Sequence, residues 1–170
     1  LTATVFGGYA MLLSIGASVA EVPYGIPPQL FGFLFAIAAV ALVTGSVCAR
    51  LVAPRMGLER VVTTGAVIAG LAGAGLLIVG AGAPSLAVLW TAVAVYLLAF
   101  GMLFPTGTAM ALEPAGQMAG LGASLIGAMQ MLIGAAAATL GAALFDGSHV
   151  ALSTPMGIAG LLCLLIRLVD

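Results

Sequence analysis

Six stretches of about twenty mostly apolar residues, parted by short breaks, fill almost all of this 170-residue chain. That is the length a helix needs to cross the hydrocarbon core of a bilayer. The runs fall at about 2–20, 29–52, 61–81, 86–112, 118–145 and 150–168. Their exterior must be lipid, because 5% of the residues are charged and none is Lys, whereas a soluble domain carries about a quarter charged residues. Four Arg and five acids cannot clothe a surface in water. The expected fold class is an all-α membrane protein, a six-transmembrane-helix bundle forming a single domain over residues 1–170.

The breaks carry their own chemistry. Pro23, Gly25, Pro27 and Pro28 cannot continue a helix and mark a loop. The second run ends in Ala49–Arg60, the one dense charge cluster, and the third ends at the turn Gly82–Ser85. Pro84 suits the first turn of the next helix. The fourth run meets Pro105 and is expected to continue, kinked, to Leu112, with a loop over 113–117. The fifth is long enough to tilt and closes at Asp146–His149. The sixth is expected to begin irregularly around Ser153, Thr154 and Pro155.

The arginines set the orientation. With Leu1 on the cytoplasmic side, Arg50, Arg55, Arg60 and Arg167 all fall inside and the three outer loops hold no Arg or Lys. Asp170 then returns to the cytoplasm, so both termini are expected there. The chain starts at Leu1 among residues already apolar and without a basic leader, the pattern of a fragment that begins in or at the edge of a helix.

Several function classes are excluded by inventory. A net charge of -1 leaves no basic patch for nucleic acid. Cys48 and Cys163 lie in apolar runs without partners at metal or redox spacing and read as small packing residues. His149, the sole histidine, reads as a solvated loop residue beside Asp146, so neither a metal site nor a catalytic triad is expected. No cofactor and no enzymatic activity are expected.

Polar residues within the runs are more informative, since each needs a partner where there is no water. Tyr9, Ser14 and Ser18 stand in the first run, Thr91 and Tyr96 in the fourth, and Ser124, Gln130 and Thr139 in the fifth. The isolated Ser and Thr read as helix-to-helix hydrogen bonds. Gln130, between Met129 and Met131, is balanced between such a bond and the lining of a wet cavity. Gly120, Gly127, Gly134 and Gly141 recur every seven residues and predict a smooth packing seam. No Asp or Glu stands at the middle of a run, so any proton carrier is expected outside this segment.

At Gly101–Pro114, then Ala119-Gly120 and Ala123–Gly127, the residues resemble spans ten and eleven of major facilitator superfamily drug:proton antiporters, nearest the bicyclomycin/chloramphenicol-resistance (Bcr/CflA) branch. Tyr24-Gly25 and Phe31–Ala36 resemble the entry to span eight. Gly45-Ser46, Arg50-Leu51, Arg55 and Gly57 resemble the following cytoplasmic loop, with Ala49 where that motif carries an acid. The resemblance covers essentially the whole chain, as the C-terminal half, spans seven to twelve, of a major facilitator fold.

It implies efflux of drug-like small molecules, driven by the proton gradient as an antiporter in a bacterial inner membrane. A first half of the same chain would be the partner across a central cavity. It further implies substrate contact by Tyr9, Phe35, Met129 and Gln130, and gating by Gly45, Arg50, Arg55 and Gly57. A non-transporting scaffold or remnant, and a six-span transporter acting as a dimer, remain open beside it.

Overall fold

The computed structural model describes residues 1–169, without the side chains of Ala115 and Gln117; Asp170, expected at the cytoplasmic face, lies outside the described residues. The elements are α1 (Thr2–Glu21), α2 (Pro28–Met56), α3 (Leu58–Gly80), α4 (Leu86–Leu112), a 3-10 segment (Glu113–Met118), α5 (Ala119–Leu144) and α6 (Val150–Val169). The described residues hold no strand. All six helices are long and apolar enough to cross a membrane, with mean hydropathy between 1.5 and 2.3.

The charged end of the second run differs most from expectation. Rather than a loop over 53–60, α2 continues through Pro54 to Met56 and α3 starts at Leu58. Pro54 lacks the N–H that would reach the Arg50 carbonyl, so α2 runs on with one bond fewer in its last turn. The reversal falls on Gly57 alone, whose φ of 82° lies in the left-handed region that a side chain disfavours. Pro105 and Pro155 likewise lie inside continuous helices, and α6 is regular from Val150. In lipid the backbone has no solvent to turn to, so the helix absorbs a proline.

Packing pairs the first three helices with the last three. Helix α1 rests on α5 and α6 as α4 rests on α2 and α3, while α1 meets α4 and α3 meets α6. An odd number of spans per unit inverts the second relative to the first: Phe6 stacks on Phe104 and Tyr9 on Phe100, which makes α1 and α4 antiparallel.

Three kinds of seam hold the bundle. The α3–α6 seam is backbone on backbone: a Cβ on Gly73 would meet the Gly157 carbonyl, and one on Gly160 would meet the Ala69 carbonyl. The α2–α4 seam crosses at Gly45 and Gly101, where a Cβ would strike the Leu98 and Leu42 carbonyls. The α1–α5 seam uses only half of the predicted glycine stripe. Gly134 and Gly141 take Phe6 and Met11, whereas Gly120 and Gly127 have nothing within 4 Å of a built Cβ.

Burial is correspondingly uneven. Helices α2 and α5 are the least buried. On α2 only Ala38, Gly45 and Ala49 are buried, and on α5 only Gln130, Gly134 and Gly141. Each touches the bundle along a single stripe and turns the rest of its surface outward.

Candidate functional site

The central α1–α4 crossing carries the richest chemistry. Four rings meet there: Tyr9 stacks on Phe100 at 4.7 Å between centroids, Phe6 on Phe104 at 5.8 Å, and Phe100 lies 5.1 Å from Phe104. Such offset pairs add about 0.5–1.5 kcal/mol each beyond the area they bury. Helical spacing brings each pair to one face, Phe6 with Tyr9 on α1 and Phe100 with Phe104 on α4. Just above, Tyr96 is fully buried and donates from its hydroxyl to the Val5 carbonyl at 3.0 Å. Gly8 makes this possible, since a Cβ there would overlap the Tyr96 hydroxyl.

Most other hydroxyls are satisfied locally. Thr44, Thr63, Thr64, Thr91, Thr108 and Thr139 each donate to the carbonyl four residues earlier. The expected interhelical bonds of the isolated Ser and Thr are thus mainly turns within one helix. Ser14 instead reaches the Ala138 carbonyl of α5 at 2.9 Å, and the buried Ser153 hydroxyl has no hydrogen-bond partner among the described residues. Trp90, on α4, donates to the Leu34 carbonyl of α2 at 2.9 Å.

Gln130 is different. It is 5% exposed, and its amide nitrogen has no hydrogen-bond partner among the described residues. A buried unpaired polar group costs about 1–3 kcal/mol. Gly134, covered by Phe6, stands about 6 Å further along the helix. Gln130 therefore lies about one helical turn from the point where α5 meets the aromatic crossing.

The four residues to which the resemblance assigns substrate contact do not form one cluster. Tyr9 is half-buried in the aromatic crossing. Phe35 lies beside Phe31, which meets Trp90 edge-on at 5.9 Å; Trp90 precedes Phe100 on α4 by about 15 Å of helix rise. Met129 is 53% exposed on α5, next to the buried Gln130. Phe6, Phe100 and Phe104 were not singled out in the sequence; their spacing of three and four residues was the available signal.

The residues assigned to gating also separate. Gly45 is buried deep within α2 at the α4 crossing, where its role is close packing. Gly57 forms the α2–α3 turn, and Arg50 is exposed on α2. Arg55 lines a cavity at that end of the bundle. Beside it, the Arg167 guanidinium is 2.9 Å from Glu59 Oε1 and donates to Thr63 Oγ1 at 2.9 Å, tying α6 to α3.

At the opposite end the loops clasp one another. Tyr24 donates to the Pro84 carbonyl at 3.1 Å, and His149 Nε2 lies 3.1 Å from the Gly82 carbonyl. His149, partly exposed in its loop, thus also reaches across to a second loop. The Ser148 hydroxyl and backbone N–H both donate to Asp146 Oδ1, at 2.6 and 3.0 Å, and hold its carboxyl below the usual range. Burial raises the Tyr24 phenol. Cys48 is exposed and Cys163 buried, and no group of three or more metal-ligating side chains occurs among the described residues.

The fold and site define a multi-pass membrane protein: a six-helix bundle with matched inverted halves and a polar, aromatic crossing at its centre. Comparison with known proteins agrees at that level. The chain is 27% identical over 163 residues to an uncharacterized MFS-type transporter, YdgK, of Bacillus subtilis (strain 168), covering 89% of this chain and 39% of the relative. This similarity supports membership of the major facilitator superfamily, and six apolar helices agree with half of that fold. The chain spans well under half the length of this relative. No family model and no solved structure matches it.

Proposed function

We propose that this chain is the second six-helix half of a proton-coupled exporter of drug-like molecules, of the Bcr/CflA type, working in a bacterial inner membrane with both ends of the segment cytoplasmic. The observation that carries the reading is the buried, unpaired Gln130 amide about one helical turn from the aromatic crossing, on one of the two helices left least covered. A folded membrane protein satisfies its buried amides, and an unsatisfied one a helical turn away from stacked rings is suited to a ligand with one acceptor and a flat apolar body.

In this reading Tyr9 stacks on the substrate, Gln130 donates to it, and Met129 and Phe35 offer adaptable contact along the path. A first six-helix half covers the outward faces of α2 and α5, and rocking of the halves moves the site between membrane faces. No acid stands mid-span in this segment, so the titrating group belongs to the partner half. Arg50 and Arg55, with the turn at Gly57, act at the cytoplasmic gate, and Gly45 lets α2 follow α4.

The test is drug efflux by the full-length protein carrying Gln130→Ala. Transport is expected to fall by roughly tenfold at unchanged membrane insertion, the value of one hydrogen bond to a buried group. Unaltered efflux would remove Gln130 from the site.

A further inference from the structure

Three of the four arginines meet at one end of the bundle. A cavity of about 800 Å³ opens there, lined by Arg55, Gly57 and Arg60 around the α2–α3 turn, Glu113 at the end of α4, and Arg167 of α6. Arg167 is already engaged with Glu59. Among the described residues neither Arg55 nor Arg60 has a carboxylate partner. Helix α3 begins beside them with no side-chain cap, which leaves its opening N–H groups without an intrahelical acceptor.

The unmatched side-chain charge is therefore positive: two guanidiniums against the one unengaged carboxylate of Glu113. A guanidinium fork suits a tetrahedral oxyanion with several acceptors better than it suits a lone halide. The volume exceeds what a small ion needs and lies in the range of small-molecule sites. Its place at the ends of four membrane-spanning helices puts it at the depth of lipid headgroups.

We infer that this basin binds a phosphate group of net negative charge, through Arg55 and Arg60. The inference needs only the membrane setting and stands apart from the transport reading. Two sources share this chemistry, the headgroup of an anionic phospholipid and a free phosphate in the adjoining water.

Native mass spectrometry of the full-length protein, released from detergent with equal amounts of phosphatidylglycerol and phosphatidylcholine of the same chains, separates them. The wild type should retain phosphatidylglycerol preferentially. Arg55→Gln with Arg60→Gln should reduce that preference by roughly tenfold, from the attraction of each basic residue to anionic lipid. Both side chains are exposed, so the fold should survive. Glu113→Gln should raise the preference by about twofold. Excess inorganic phosphate that strips the lipid would show that free phosphate also binds; lipid that resists it would assign the site to headgroups. Equal retention of the two lipids by the wild type, or a preference untouched by the double variant, would overturn the proposal.

Discussion

The α3–α6 seam and the α1–α4 crossing are both close meetings of antiparallel helices, built from opposite materials. At α3–α6, Gly73, Gly157 and Gly160 bring backbone against backbone, and the Arg167–Glu59 pair lies at one end. At α1–α4 four aromatic rings, the half-buried Tyr9 among them, and the Tyr96 hydroxyl fill the space between the axes, with the unpaired Gln130 about one helical turn from the Gly134–Phe6 contact. A glycine seam has no side chains to rearrange and fixes one geometry. Rings on flexible χ angles, a helical turn from an unspent hydrogen-bond donor, allow a guest. The difference separates a structural spine from an adaptable wall.

The sharpest way to break this contrast is to overpack the spine. Gly73→Leu should destabilise the protein by about 3 kcal/mol, because backbone stands where the side chain must go. Gly75→Leu, on the same helix with open space around it, should be near neutral. Thermal unfolding in detergent compares the two, and equal losses would deny the seam its special role.

Next in size is a separation of stability from transport at Gln130. Replacing an unpaired buried amide by Leu should leave the unfolding midpoint unchanged or slightly higher, while drug efflux by the intact transporter falls by roughly tenfold. A large loss of stability would instead mean that the amide has a structural partner.

Smaller effects sharpen the picture. Tyr96→Phe removes the bond to Val5 and should cost about 0.6 kcal/mol, the average for hydrogen bonds between membrane helices. Glu59→Gln should cost only a few tenths of a kcal/mol in the unfolding midpoint, because Glu59 is 80% exposed and its pair with Arg167 is screened. Added salt should shrink even that difference.

Much of the architecture was legible in the chain because lipid leaves so few options: apolar length and proline-rich breaks mark the helices. What escaped was set by contacts distant in sequence. Gly57 alone turns α2 into α3, since a helix can carry Arg50, Pro54 and Arg55 to its end at the membrane surface. The Gly120–Gly141 stripe is regular in sequence, yet only the half opposite Phe6 and Met11 is packed. His149 has nothing nearby in the chain to announce the Gly82 carbonyl. The aromatic crossing combines residues of α1 with residues of α4, and only the pairing of those helices joins Phe6 to Phe104.

The most direct test is water access to the wall compared with the spine. In the full-length protein with Cys48→Ala and Cys163→Ala, single cysteines at Met129, beside Gln130, and at Leu71 on α3 are both exposed positions, 53% and 68%. A membrane-impermeant thiol reagent should label Met129→Cys readily and leave Leu71→Cys, in lipid, almost unmodified. Equal labelling, or protection of Met129→Cys alone, would contradict a water-filled cavity along α5.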